Sequence, residues 1–368
     1  MSTERISRLG RLMQEHGLGA VALNPGPTFL YLTSISFHLM ERPIIALFAP
    51  ERQPWLILPE FERTKAETGL IDFRLATYGE DEASRRQAFE QAAAGFGLGS
   101  MRVGVEPLRL RVLELRILEA AAPEAKFVNG EPALIPVRAS KDETEVQAMR
   151  KAAGIAERAL EASLAHVRVG MTERELASEL TLQLLRAGSD PELPFSPIVA
   201  AGPNSALPHA VPTARKMQQG DLLLVDWGAS HGGYFSDITR TFALGAPDPE
   251  LEQIHKIVQG ANLAGRNAVR PGSTCAAVDD AARSVIARAG YADFFNHRTG
   301  HGIGLDVHEP PYIRGDNPEQ LVPGMTFTIE PGVYLSGRGG VRVEDDVLVT
   351  TDGGETLTSM PRELRILG

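Results

Sequence analysis

The chain has 368 residues, 43% hydrophobic and 23% charged, with a formal net charge of −10 and one cysteine, Cys275. That length favours two or three domains of ordinary globular composition, and the acidic balance argues against nucleic acid or an anionic membrane as partner. A single cysteine excludes an intrachain disulfide and fits a reducing compartment.

The polar, amphipathic start MSTERISRLGRLMQ has no apolar signal core, and no apolar run approaches about 20 residues. Neither a secretory leader nor a membrane span is expected, and the cytoplasm is the expected location. Ile6, Leu9, Leu12 and Met13 fall at helical spacing over residues 4–16, with Gly17 as a stop. AVAL then leads into the turn NPGP. The runs FLYLTSISF, PIIALFAP, PWLILP and IDFRLATY read as short strands, with helices near 60–68, 82–94 and 109–121 and a last strand in AKFVNG. This alternation predicts an α/β domain of about 130 residues. PALIPVRASKDETE marks a boundary, where prolines give way to Ser140 and an acidic first turn. A long helix is expected over about 141–167. Thr172 and Glu175 then form a capping box. Beyond 195 the strands become hairpin-like, and helices fall near 248–269 and 274–289. The second domain therefore reads as α+β.

LLLVDWGASHGGYFSDITRTF places Asp226 and Asp237 inside apolar runs, where a lone carboxylate is costly. A two-residue loop at His231-Gly232 sets them opposite each other, with Cβ atoms roughly 4.5–5.5 Å apart. Like charges so placed either protonate or share a cation. MTFTIEPGVYLSGRGGVRVEDDVLVT repeats the arrangement: a reversal centred on Gly337 brings Glu330 opposite Glu344. Pro331 implies a strand end or bulge there. Asp345 and Asp346 read either as site residues or as a charged strand end. RTGHGIGLDVHEPP adds His301 and His308 among glycines that allow close backbone approach, and NSALPHAVP adds His209. Trp227, beside Asp226, is compatible with packing behind a site or with simple core.

Four carboxylates and one imidazole form a hard, oxygen-rich donor set, suited to two divalent ions such as Mn, Co or Zn. There is no cysteine cluster for structural zinc, no G-x-S-x-G elbow and no phosphate loop.

VDWG…GYFSDITRT, RTGHGIGLDVHEPP, TIEPGVY and GVRVEDDVLVT together resemble the metallopeptidases of the creatinase/methionine-aminopeptidase, or pita-bread, fold over most of residues 140–368. RISRLGRLMQEHGLGAVALNPGPTFLYLT resembles the N-terminal domain of prolidases and aminopeptidase P. The resemblance implies a smaller α/β creatinase-type domain over 1–137 and an α+β pita-bread catalytic domain over 138–368. It implies two divalent metal ions per chain, held by Asp226, Asp237, His301, Glu330 and Glu344. Asp237 and Glu344 would bridge them, with Asp226 on one ion and His301 on the other. Glu330 would also shuttle the proton of the attacking water. His209 and His308 would hold substrate and stabilise the oxyanion, and Arg342 would pair with an acidic ligand or with substrate.

The implied reaction is hydrolysis of the bond between an N-terminal residue and proline, on proline-containing dipeptides or short peptides, by a homodimer. Prolidase-like action on Xaa-Pro dipeptides is favoured. Aminopeptidase P action on Xaa-Pro-Yaa and longer peptides is the alternative, and a non-catalytic binding module a remote one. One departure bears on this choice. Many prolidases carry an arginine for the substrate carboxylate in an HExPR pattern, and HEPPYI has Tyr312 there. A tyrosine hydroxyl supplies no charge, which leaves Arg298, Arg314 and Arg338 as substitutes.

Overall fold

The computed structural model describes residues 2–69 and 71–367, and its contacts separate two units, Met1–Arg138 and Ala139–Gly368. Among the described residues, no helix is long and apolar enough to cross a membrane.

The first unit is built on β1 (Ala20–Leu23), whose four residues are all buried. Such a strand lies inside a sheet covered on both faces. The sheet order is β4 (Arg74–Tyr78), β3 (Trp55–Pro59), β2 (Ile45–Phe48), β1, β5 (Arg102–Val105), β6 (Lys126–Asn129). β1, β5 and β6 run parallel, whereas β2 is antiparallel to both of its neighbours. Helices α1 (Ser2–Glu15), α2 (Pro27–Thr33), α3 (Arg63–Glu67), α4 (Glu82–Phe96), α5 (Val112–Ala121) and α6 (Glu131–Ala139) intervene. α1 buries Leu9 and Met13, one turn apart on one face.

Two expectations fail in this unit. FLYLTSISF is not a strand, because Phe29–Thr33 belong to α2, with Pro27 in its first turn and Ser34 as a left-handed C-cap. Pro27 fixes a helical start that a nearly continuous apolar run does not reveal. The proline-bearing boundary segment is itself helical, since α6 encloses Pro136.

The second unit contains two helix pairs, each followed by a sheet. α7 (Glu143–Leu164) starts at Asp142, which forms a reciprocal capping box with Glu145; the expected cap at Ser140 is two residues early. α8 (Glu173–Arg186) has the anticipated Thr172–Glu175 box. Both pack on the sheet β19 (Arg365–Leu367), β11 (Ile238–Leu244), β8 (Leu222–Trp227), β7 (Ile198–Ala201). The short ribbon β9 (Ser230–His231) and β10 (Tyr234–Phe235) caps the β8–β11 connection. α9 (Pro249–Ala268) and α10 (Cys275–Arg288) precede the second sheet. Its order is β13 (Glu309–Ile313), β12 (Gly300–Gly302), β14 (Thr326–Ile329), β17 (Asp345–Val349), β18 (Gly354–Thr356). The hairpin β15 (Gly332–Leu335) and β16 (Gly339–Arg342) extends from it.

β8 reads LLLVDW and is buried throughout because both of its faces are covered. Leu223, Val225 and Trp227 join the cluster under α7 and α8, while Leu222 joins the cluster with Ile254 and Val258 of α9. The alternation of a strand therefore puts Trp227 on the face opposite Asp226. Trp227 is core: it is fully buried, and its indole N–H donates to the Ala156 carbonyl at 2.8 Å.

Candidate active site

The β8–β11 register sets Thr239, not Asp237, opposite Asp226. Tyr234 pairs with His231, so the two-residue turn is Gly232-Gly233 rather than His231-Gly232. Both glycines have positive φ, 60° and 80°, the backbone that a twisted two-residue hairpin requires. Displacing the turn by one residue shifts the pairing by two, and a two-residue slip preserves the face. The second hairpin holds the anticipated register. Gly332 pairs with Arg342 and Leu335 with Gly339, and Ile329 pairs with Asp345 beyond the break at Glu330-Pro331.

His301 sits in β12 between two glycines that could be nothing larger. A Cβ at Gly300 would lie 1.8 Å from the Thr328 carbonyl oxygen, and one at Gly302 would lie 2.4 Å from that of Pro310. Gly302 also offers its carbonyl to His301 Nδ1 at 3.1 Å. A proton on Nδ1 leaves Nε2 with its lone pair facing the carboxylates. Nε2 is 3.4 Å from Glu330 Oε1 and 3.7 Å from Asp237 Oδ2.

All eight residues singled out in the sequence line one cavity of about 710 Å³: His209, Asp226, Asp237, His301, His308, Glu330, Arg342 and Glu344. Phe195, Ile198, Pro208, Val211 and Val307 supply apolar wall. Asp237, His301 and Glu344 each present a ligand atom within 4.8 Å of the others. His308 stacks edge-on against His301, with ring centroids 4.2 Å apart.

The electrostatics are those of an acidic site short of positive charge. Asp237 is held well above the usual carboxylate range, first by burial and then by the charges of Glu344 and Asp226. Glu344 is raised in the same way, by burial, Glu330 and Asp226. Glu330 is pushed up to about 7 by burial, with Arg342 pulling the other way. Burial, then His308 and Arg298, keeps the His301 pKa well below its ordinary value. Burial and Arg298 also lower His308. Two buried carboxylate oxygens here, Asp226 Oδ1 and Asp237 Oδ1, have no hydrogen-bond partner among the described residues. Buried polar atoms are normally satisfied. Orphaned oxygens, a free imidazole nitrogen and crowded carboxylates fit a hard divalent cation.

Arg342 holds the frame of this site. It pairs with Asp226 at 2.5 Å, and its Nη1 donates to Tyr334 Oη at 2.8 Å and to the Pro208 carbonyl at 3.2 Å. Its Nε donates to Thr239 Oγ1 at 3.0 Å, and that hydroxyl donates to Glu344 Oε2 at 2.5 Å. Sequence reasoning missed Thr239. Once the hairpin register is known, a threonine facing Asp226 is its only signal. Asn262 of α9 was also missed. It is fully buried and donates to the carbonyls of Ile329 and Val343, the residues just before Glu330 and Glu344.

Asp345 and Asp346 are not a charged strand end, since both are buried. Asp346 Oδ2 accepts the Asp237 backbone N–H at 3.1 Å. Asp345 pairs with Arg240 at 2.8 Å, Arg362 at 2.7 Å and Arg266 at 3.6 Å.

Residues 147–351 match the model of metallopeptidase family M24, and residues 5–140 match that of the creatinase/prolidase N-terminal domain. The chain belongs to metallopeptidase family M24. Members of M24 use divalent metal, and the two-unit architecture is a creatinase-type domain followed by a pita-bread domain. An Xaa-Pro dipeptidase of Lactobacillus delbrueckii subsp. lactis is 34% identical over 98% of both chains. The prolidase of Thermococcus sibiricus superposes with a TM-score of 0.95 at 32% identity, covering 100% of this chain and 99% of that one. The X-Pro aminopeptidase of Thermotoga maritima superposes at 0.86 with 30% identity, covering 98% and 99%.

Proposed function

We propose that this M24 member hydrolyses Xaa-Pro dipeptides at the bond before proline. Asp226, Asp237, His301, Glu330 and Glu344 would hold two divalent ions such as Mn, Co or Zn. The observation that carries this reading is the convergence of four acidic side chains and one imidazole in a single cavity, with two carboxylate oxygens left without partners. When bound, such a pair of ions lowers the pKa of a water and offsets negative charge developing on the scissile carbonyl.

The chain's own groups do the rest. Arg342 and Thr239 fix Asp226 and Glu344 in place. Glu330, at the break between β14 and β15, is positioned by its backbone N–H on the Thr299 carbonyl at 2.7 Å; it accepts the proton released as water attacks and passes it to the prolyl nitrogen as the C–N bond breaks. His308, kept neutral by burial and Arg298, donates an N–H to the carbonyl oxygen as it gains charge, with His209 on the Pro208–Val211 wall as the second donor. The apolar wall receives the proline ring and keeps bulk water from the reacting bond.

The domain division at 137/138, a homodimer and a cytoplasmic location complete the proposal. They rest on the family resemblance and, for location, on the single buried cysteine. The net charge of −10 supports a small-peptide partner rather than nucleic acid or membrane.

Likeness to an X-Pro aminopeptidase keeps a second reading in play, action on Xaa-Pro-Yaa and longer peptides. Comparing kcat/KM on Ala-Pro with that on Ala-Pro-Ala-Ala separates the two. A strong preference for the dipeptide is expected, and preference for the longer peptide would replace the first reading by the second.

A further inference from the structure

Among the described residues, the wall that would meet the far end of a dipeptide carries one uncommitted cation. Three arginines line the cavity: Arg298, Arg314 and Arg342. Arg342 is consumed by Asp226, Thr239, Tyr334 and Pro208. Arg314 is paired with Asp316 at 2.9 Å and is more than half exposed. Arg338, the other arginine the sequence offered, is exposed and engaged by Asp248 and Glu250, and it does not line the cavity.

Arg298 differs from all three. Its guanidinium makes no ion pair or hydrogen bond among the described residues, and it lies over the Tyr312 ring, 4.7 Å from the centroid. Stacking orients the planar fork while leaving its N–H groups available. The backbone beneath is pinned. The Arg298 carbonyl accepts from His297 Nδ1 at 2.7 Å, and His297 Nε2 in turn meets Tyr334 Oη at 3.0 Å. The next N–H, that of Thr299, donates to the Ile313 carbonyl at 2.9 Å. Arg298 is thereby tied to β13, the strand that carries Tyr312.

We infer that Arg298, braced on Tyr312, receives the C-terminal carboxylate of the substrate and so confers selectivity for dipeptides. This deepens the Xaa-Pro reading and rests on it. Tyr312 stands where the prolidase resemblance leads one to expect an arginine, and in space it supplies the platform for Arg298. A carboxylate accepts two parallel N–H bonds from one guanidinium, whereas a C-terminal amide or an extended chain has no matching charge.

The test compares Ala-Pro with Ala-prolinamide in the metal-loaded parent and in Arg298→Ala, Arg298→Lys, Tyr312→Leu and Arg314→Ala. In the parent, kcat/KM should favour the free carboxylate by about 10- to 100-fold. Arg298→Ala should bring that ratio near one through KM for Ala-Pro, with a smaller change in kcat. Arg298→Lys should retain part of it, and Tyr312→Leu should give an intermediate ratio. Inhibition by L-proline relative to L-prolinamide should weaken in parallel, which gives a readout independent of turnover. Discrimination that survives Arg298→Ala, or that collapses in Arg314→Ala instead, overturns the inference and leaves Xaa-Pro hydrolysis standing. A parent that cleaves neither substrate overturns both.

Discussion

Two acidic groups in this protein are neighbours in sequence and equally buried, yet they solve the cost of burial in opposite ways. Asp345 is surrounded by Arg240, Arg266 and Arg362. Burial alone would raise its pKa, but Arg240 and Arg362 overcome it and hold the carboxyl down to about 2. Glu344, one residue earlier, faces Glu330 and Asp226 with Arg342 as its counterweight, and stays well above the usual range. One cluster is neutralised from within the chain. The other is built to be completed by charge from outside. Like charges a few ångströms apart cost on the order of 4 kcal/mol per pair even with substantial screening. A fold retains such crowding where a cation relieves it.

The contrast can be broken most sharply at Asp237. Asp237→Asn should abolish metal retention and lower peptidase activity by more than about 100-fold, beyond what partners one step removed from a metal typically cost. The same change should raise the Tm of the metal-free protein by about 2 °C, because it removes a repelled charge. Metal analysis, activity and calorimetry on one sample read all three. At Asp345 the sign should reverse. Asp345→Asn leaves Arg240, itself buried, short of its counter-ion and should destabilise by about 3 kcal/mol, seen in denaturant unfolding. Thr239→Val should preserve the fold and weaken metal affinity about 10-fold or more, because Arg342 and Glu344 lose their shared hydroxyl; a metal titration measures it.

A pH-dependent effect belongs to a buried group outside both clusters. Burial, only partly offset by Glu363, holds the His255 pKa down to about 4. The unfolded chain takes up this proton near pH ~6.5, while the folded chain resists it until about 4. The contribution is therefore fully present above ~6.5 and falls as pH drops through that window, by up to about 1.4 kcal/mol per unit. His255→Gln should flatten the difference in Tm between pH 7 and pH 4.5 relative to the parent.

What the sequence revealed follows the range of the interactions involved. Glu330 and Glu344 could be paired by reading alone, because the glycine-rich reversal about Gly337 and the flanking β runs set the register locally. Asp226 and Asp237 could be put on one face but not in register. His231-Gly232-Gly233 admits either of two turns, and only the φ > 0 requirement at both central residues selects the second. α2 was hidden by a run too apolar to show a period. The character of Asp345 was invisible because Arg240 lies 105 positions away. Separations of 67 and 81 positions from its partners Ile329 and Val343 likewise conceal Asn262, which supports Glu330 and Glu344 from a helix with no motif of its own. The family resemblance supplied the proposed set of metal ligands. The structure added the braces around them, Thr239, Asn262 and Asp346, and gave Arg342 its partners, Asp226 and Thr239.

The central claim is that the crowded carboxylates, two of whose oxygens lack partners among the described residues, await divalent cations that make Xaa-Pro hydrolysis possible. Titrating Mn²⁺ into protein stripped with a chelator, while following proline release from Ala-Pro, tests it most directly. The expected result is no release at the start and a rise that saturates near two equivalents per chain. Full-rate proline release from the stripped protein before any metal is added would contradict it.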